Sequence, residues 1–397
     1  MRRLPPRAVL GPALLAALSA TCGLARAQDV LLGARRIVVA ADSVLDDGRV
    51  LIRQGKVAYV GSDIPAEARA RARRVDYGDA TVVPGFVLAA ATLGQERDLA
   101  ERALPFTPDL RAAEAFDPWH EDLLALPQYG VTSLALAPAP GNVAGGLAAL
   151  VKTGRDRGTV GADLFVSLSL VPAARDQERP PTSLMGAVEL LRSACDAART
   201  GAATGPDAAV LRQAMQGTRS VFVYADNFAE LNAALDLARD FGLRLVLVGA
   251  ADAGKVLPRL AQQQVGVVLD SLGPEARLEQ LQLPTRLAEA GVAFCFAGRP
   301  AQLRLSAALA VHHGLDRKTA LQALTRVPAA LLDQAATIGS LRQGCAADFV
   351  VFAGDPLDLG SAWVATWVDG ELVHGTSPAA SPGPQPAAEP AADAGVR

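Results

Sequence analysis

Histidine is scarce in this chain: His120, His312, His313 and His374 are the four in 397 residues. None stands in a His-x-His pair, the spacing that lets alternate residues of one strand converge on a single ion. Cysteine is as rare, and no C-x-x-C spacing occurs, which argues against structural zinc and dithiol redox motifs. There is no Gly-x-Ser-x-Gly elbow and no histidine placed beside a candidate serine, so Ser-His-Asp catalysis has no support. A net charge of −3 without a basic cluster excludes nucleic acid as a natural partner.

What is present begins with an apolar leader. Arg2, Arg3 and Arg7 precede an apolar run from Val9 to Leu24, and Ala25-Arg26-Ala27 forms an A-x-A cleavage site. The run is interrupted by Pro12 and is too short for a membrane span, so the mature chain is expected to start near Gln28 without one. A lipid anchor on Cys22 is poorly supported by the preceding Ser19-Ala20-Thr21. Export through a cleavable signal peptide (residues 1–27) would place the protein in the periplasm of a Gram-negative cell, or outside the cell otherwise. Cleavage takes the basic count from 38 to 34 against 41 acids, a formal charge of −7. Cys195, Cys295 and Cys345 remain, and the simplest reading buries all three as small hydrophobes.

The mature chain is half hydrophobic and long enough for one large domain with a smaller companion. Short alternating runs at Val30–Ser62, with turns at Asp46-Asp47-Gly48 and Gln54-Gly55-Lys56, predict hairpins. A matching pattern follows Ile338-Gly339-Ser340-Leu341, with a turn at Asp369-Gly370. Between them apolar runs alternate with helical stretches, the signature of a parallel α/β barrel. Strands are expected within Thr81–Gly94 and at 131–137, 164–170, 220–225, 244–248, 266–269 and 292–296. That is seven, one short of a complete barrel. One helix is well marked: Asn227 caps it with Glu230 three residues on, Phe228, Leu231, Leu235 and Ala238 share a face, and Gly242 ends it.

The opening Pro84-Gly85-Phe86-Val87 resembles the first barrel strand of the amidohydrolase superfamily. Phe106-Thr107-Pro108-Asp109-Leu110-Arg111, Tyr129-Gly130-Val131-Thr132, Gly141-Asn142-Val143-Ala144-Gly145-Gly146 and Pro181-Thr182-Ser183-Leu184 resemble its imidazolonepropionase-like branch. The resemblance implies an α/β, TIM-like (β/α) barrel over 81–335, either incomplete or with one strand beyond the seven identified. A small composite β-sandwich would flank it, built from 28–80 and 336–376, with a disordered tail from 377 to 397. It also implies ancestry among hydrolases of non-peptide carbon–nitrogen bonds, which activate water on zinc or another divalent metal.

The positions that would hold that metal carry other residues. Leu88, Ala90 and Thr92 replace the Asp and two His of the first strand, Tyr224 and Gly249 replace the next two His, and Gly298 or Arg299 replaces the last Asp. The four remaining histidines fall on a helix start, an outer helix and the C-terminal sheet, and do not rebuild the site. The expectation is therefore a metal-free pseudoenzyme with no cofactor. It would serve as partner subunit, in a hetero- or homo-dimer with an amidohydrolase relative, or as a binder of a small polar ligand. Unconventional hydrolysis of cyclic amides or related bonds is the enzyme alternative. Possible ligand contacts are Asn142, Lys152, Tyr224, Asp226 and Arg299. Each has a plainer reading: a turn for Asn142, a solvated lysine for Lys152, and an Arg299–Asp226 ion pair filling the emptied pocket.

Overall fold

The computed structural model describes residues 29–40, 42–65, 70, 72–175 and 179–378. The expected signal peptide lies outside the described residues, as does all of the expected tail beyond residue 378.

The first strands are β1 (Val30–Ala40), β2 (Ser43–Arg53), β3 (Lys56–Gly61), β4 (Arg73–Asp76) and β5 (Thr81–Pro84). The chain then passes Gly85 into β6 (Phe86–Ala91), β7 (Val131–Leu136), β8 (Ala144–Leu147), β9 (Ala149–Lys152), β10 (Thr159–Gly161) and β11 (Phe165–Ser169). There follow β12 (Ser220–Ala225), β13 (Leu245–Gly249), β14 (Gly266–Leu269) and β15 (Phe294–Phe296), and last β16 (Phe349–Phe352), β17 (Trp363–Val368) and β18 (Glu371–Gly375). The stretch Thr81–Gly94 thus serves two sheets, with the Pro84-Gly85 bend as the switch between them.

Both chain ends build one hydrogen-bonded sheet in the order β18-β17-β16-β5-β1-β2-β3, with β4 beside β1. The hydrogen bonds make this one continuous eight-stranded sheet. Its buried side includes Leu32, Ile37, Val82, Phe349 and Trp367, and the last two rings stack at 5.4 Å. These residues share one apolar core, and their removal from water is the main stabilising term.

The remaining strands form two sheets, β10-β9-β7-β6 and β15-β14-β13-β12-β11-β8. Strands β6 and β7 are parallel, as are β11 to β15 in succession. All seven expected barrel strands are among them. Residues 144–152 supply what the sequence did not suggest, a bent antiparallel segment. Its first half, β8, pairs with β11, and its second half, β9, pairs with β7. Alanine and glycine fill this segment, so the helical alternation that marks the other strands is missing and the run reads as a loop.

The ring has no strand ladder between β15 and β6 among the described residues. Backbone from the loop at 323–324 lies in that seam. The Phe296 N–H donates to the Ala323 carbonyl at 3.4 Å and the Val87 N–H to the Leu324 carbonyl at 2.9 Å. The fold is a mixed α/β structure without a closed barrel. Inside the ring lie Val87, Ala89, Phe165, Phe222, Val246, Val248, Val268 and Cys295, with Phe165 and Phe222 stacked at 3.7 Å. A second apolar layer joins the outer strand faces to the helices.

The helix Phe228–Phe241 has the expected capping box between Asn227 and Glu230 and ends at Gly242. Its buried face is Leu231, Ala234, Leu235 and Ala238, whereas Phe228 is 49% exposed and belongs to the surface. Position 228 is the first residue of the helix, ahead of the turn that first reaches the strands. The three cysteines are buried and unpaired.

Candidate functional site: the mouth of the strand ring

Register places the site residues. Tyr224, Val248, Val268 and Cys295 form one row across β12 to β15, and Ala225, Gly249, Leu269 and Phe296 form the next. Asp226 and Asp270 follow immediately after that row, at the C-terminal ends of strands β12 and β14. A cavity of about 710 Å³ opens over this end. Ala90, Thr92, Tyr224, Gly298 and Arg299 all line it, together with Glu96, Asp122, Tyr129 and Asp270. Five positions named from the sequence are thus gathered at one mouth, the end of a parallel sheet where ligands bind in open and closed α/β folds.

Two of those positions are glycines for a local reason. Gly249 has φ +88°, and a Cβ there would stand 2.1 Å from Asp226 Oδ1. Gly298 has φ +81°, and a Cβ there would stand 2.4 Å from Ser271 Oγ. A side chain at either place meets both a left-handed backbone and an occupied space. Gly249 itself faces a smaller side cavity of about 180 Å³ that shares Asp270 with the mouth.

Electrostatics at the mouth are set by carboxylates. Burial pushes the Asp226 carboxyl up to about 6, with the Asp270 and Glu230 charges adding and the Ala250 N–H opposing. Asp270 is open to solvent on its cavity side and enclosed on the others, and this enclosure pushes its carboxyl up. Burial, then the Asp270 charge, pushes the Tyr224 hydroxyl well above its ordinary range, so it stays a neutral phenol. Thr92 donates to Glu96 Oε1 at 2.6 Å, and His120 lies 3.8 Å from Asp122. Among the described residues no three His, Cys, Asp or Glu side chains converge as a metal centre.

Three sequence expectations are corrected here. Arg299 and Asp226 form no ion pair: they follow β15 and β12, and two strands stand between, roughly 14 Å at ordinary strand spacing. Lys152 is neither a ligand contact nor a solvated lysine. It is buried, and its Nζ contacts Asp348 Oδ2 at 2.5 Å and Asp369 Oδ1 at 2.9 Å, tying β9 to the end sheet. Asn142 is buried away from the mouth, donating to Thr107 Oγ1 at 3.4 Å and accepting from Arg179 Nη1 at 3.3 Å. Asp270, which no motif in the sequence marks, joins Glu96 and Asp122 as an acid of the cavity lining. Its one signal was position: an aspartate directly after the β14 apolar run.

Residues 299–374 match the amidohydrolase family. The whole architecture resembles that of an amidohydrolase from Thermotoga maritima MSB8, with a TM-score of 0.78, 24% identity, and coverage of 87% of this chain and 100% of that one. The A. niger ochratoxinase is similar at a TM-score of 0.56, with 17% identity and coverage of 88% and 96% of the two chains. The chain therefore carries a segment similar to the amidohydrolase family, on a fold like that of these solved structures. Among curated proteins, amidohydrolase tasK of Hapsidospora irregularis is 41% identical over 66 residues, 17% of this chain. Those residues span 7% of the curated relative's own length.

Proposed function

We propose that this protein is an exported amidohydrolase-family member of the imidazolonepropionase-like branch that has lost its catalytic metal and keeps the ring mouth as a pocket for a small ligand. One observation carries the reading. Ala90, Thr92, Tyr224, Gly298 and Arg299, the positions that match metal ligands by resemblance, line one cavity with no imidazole among them. The side chains present do not fit a catalytic divalent ion. Tyr224 is held as a neutral phenol, alanine has no donor atom, and Asp226 fills the space over Gly249. Hydrolysis of carbon–nitrogen bonds is then ancestry, not present activity.

A cavity of about 710 Å³ is of the size that small-molecule sites occupy, roughly 300–1,000 Å³. It favours a ligand over the partner-subunit role, which needs a docking surface and not a pocket. The deciding experiment is elemental analysis of protein expressed from Gln28 in zinc-supplemented medium. The expected content is below about 0.1 equivalent of tightly held metal, because a built catalytic site retains its ion. One or two equivalents would restore the metal-hydrolase reading.

A further inference from the structure

We propose that the mouth takes a small zwitterion, an ammonium and an acid group on a mainly apolar body, with Asp270 receiving the ammonium and Arg299 the acid. This rests on the ligand-binding reading above and names the chemistry of the same site.

The two charged groups stand at the ends of neighbouring strands. Leu269 of β14 pairs with Phe296 of β15, Asp270 follows the first and Arg299 lies three residues past the second. Ser271 staples these ends: its Oγ donates to the Ala297 carbonyl at 3.0 Å and accepts from the Arg299 N–H at 2.6 Å. Both side chains line the cavity. Yet they do not pair with each other, and neither has a side-chain hydrogen bond or ion pair among the described residues. The other acids of the lining are engaged already, Glu96 by the Thr92 hydroxyl and Asp122 by His120.

An unpaired anion and an unpaired cation lining one cavity select a ligand that carries both signs. A single-charge ligand satisfies one group and leaves the other facing a like or absent partner, whereas a zwitterion makes two charge-assisted contacts at once. Leu93, Leu126, Val248 and Ala297 supply apolar wall for the ligand body.

The test uses four probes with one phenyl body: L-phenylalanine, 2-phenylethylamine, 3-phenylpropionate and 2-phenylethanol. Binding to the full mature chain is measured by calorimetry at pH 7.5. The expected result is that phenylalanine binds at least about tenfold more tightly than either single-charge analogue. Asp270→Asn should bring phenylalanine down to the level of phenylpropionate, and Arg299→Gln to that of phenylethylamine. Both variants should keep the wild-type melting temperature, which shows the fold intact. If phenylethylamine or phenylpropionate matches phenylalanine, one charge suffices and the proposal is overturned. If all four bind equally, the proposal fails while the pocket reading stands. If none binds, both fail.

Discussion

The carboxylate of Asp226 lies over the Cα of Gly249, where a Cβ would stand 2.1 Å from its Oδ1. The acid at the end of one strand occupies the space in which the next strand would start a side chain. Position 249 is therefore a packed arrangement and not a vacancy.

Gly249→Ala should destabilise by about 1–3 kcal/mol, since it combines a left-handed φ of +88° with that contact. Removing the carboxylate as well, in Gly249→Ala with Asp226→Ala, should recover part of the loss and leave the backbone share. Chemical denaturation of the single and double variants checks this. Simple additivity would show that Asp226 does not fill the space.

Asp226 should make stability fall with rising pH. Its carboxyl sits at about 6 in the folded protein against an ordinary 3.8, so the folded state holds a proton that the unfolded chain has already released. This contribution is complete below about 3.8 and lost as pH rises through about 6. Asp226→Asn, whose amide oxygen can still accept from Ala250, should be more stable than wild type at pH 7.5, with the gain shrinking toward pH 4. Thermal melts across that range decide it, and a gain constant with pH would refute the assignment.

Lys152 and Asp348 are both buried, and Lys152→Met should cost about 3–5 kcal/mol by stranding the carboxylate. Replacing both, Lys152→Met with Asp348→Leu, should cost clearly less than the sum of the two single changes. The comparison of denaturation midpoints is the measurement. An additive double variant would mean the pair does not act as a unit.

The thiols should be inert in the native state. Burial pushes Cys195 up to about 11 and raises Cys295 further, while all three cysteines are buried. A thiol reagent at pH 8 should find almost none in native mature protein and all three in denaturant. Rapid reaction of one native thiol would place that residue at the surface.

Much of the architecture was legible in the residues. Period-two runs marked both halves of the end sheet, seven apolar runs marked the parallel strands, and Asn227 with Glu230 marked a capped helix. These are local signals, fixed by neighbours along the chain. Ala90, Thr92, Tyr224, Gly298 and Arg299, by contrast, were listed together through the family resemblance, and they line one cavity. The antiparallel segment 144–152 gave no such signal, since alanine and glycine pack wherever the strands beside them leave room.

What tertiary structure alone decided is which side chains meet. Lys152 looks like a surface lysine until the end of β9 meets the residues flanking β16 and β17, where Asp348 and Asp369 approach it from about two hundred residues away. Arg299 and Asp226 look complementary until two strands separate them. Asp270 is one acid among 41 until its strand ends at the cavity. Charge interactions fall off within a few ångströms and are set by burial, and neither distance nor burial is written in sequence order.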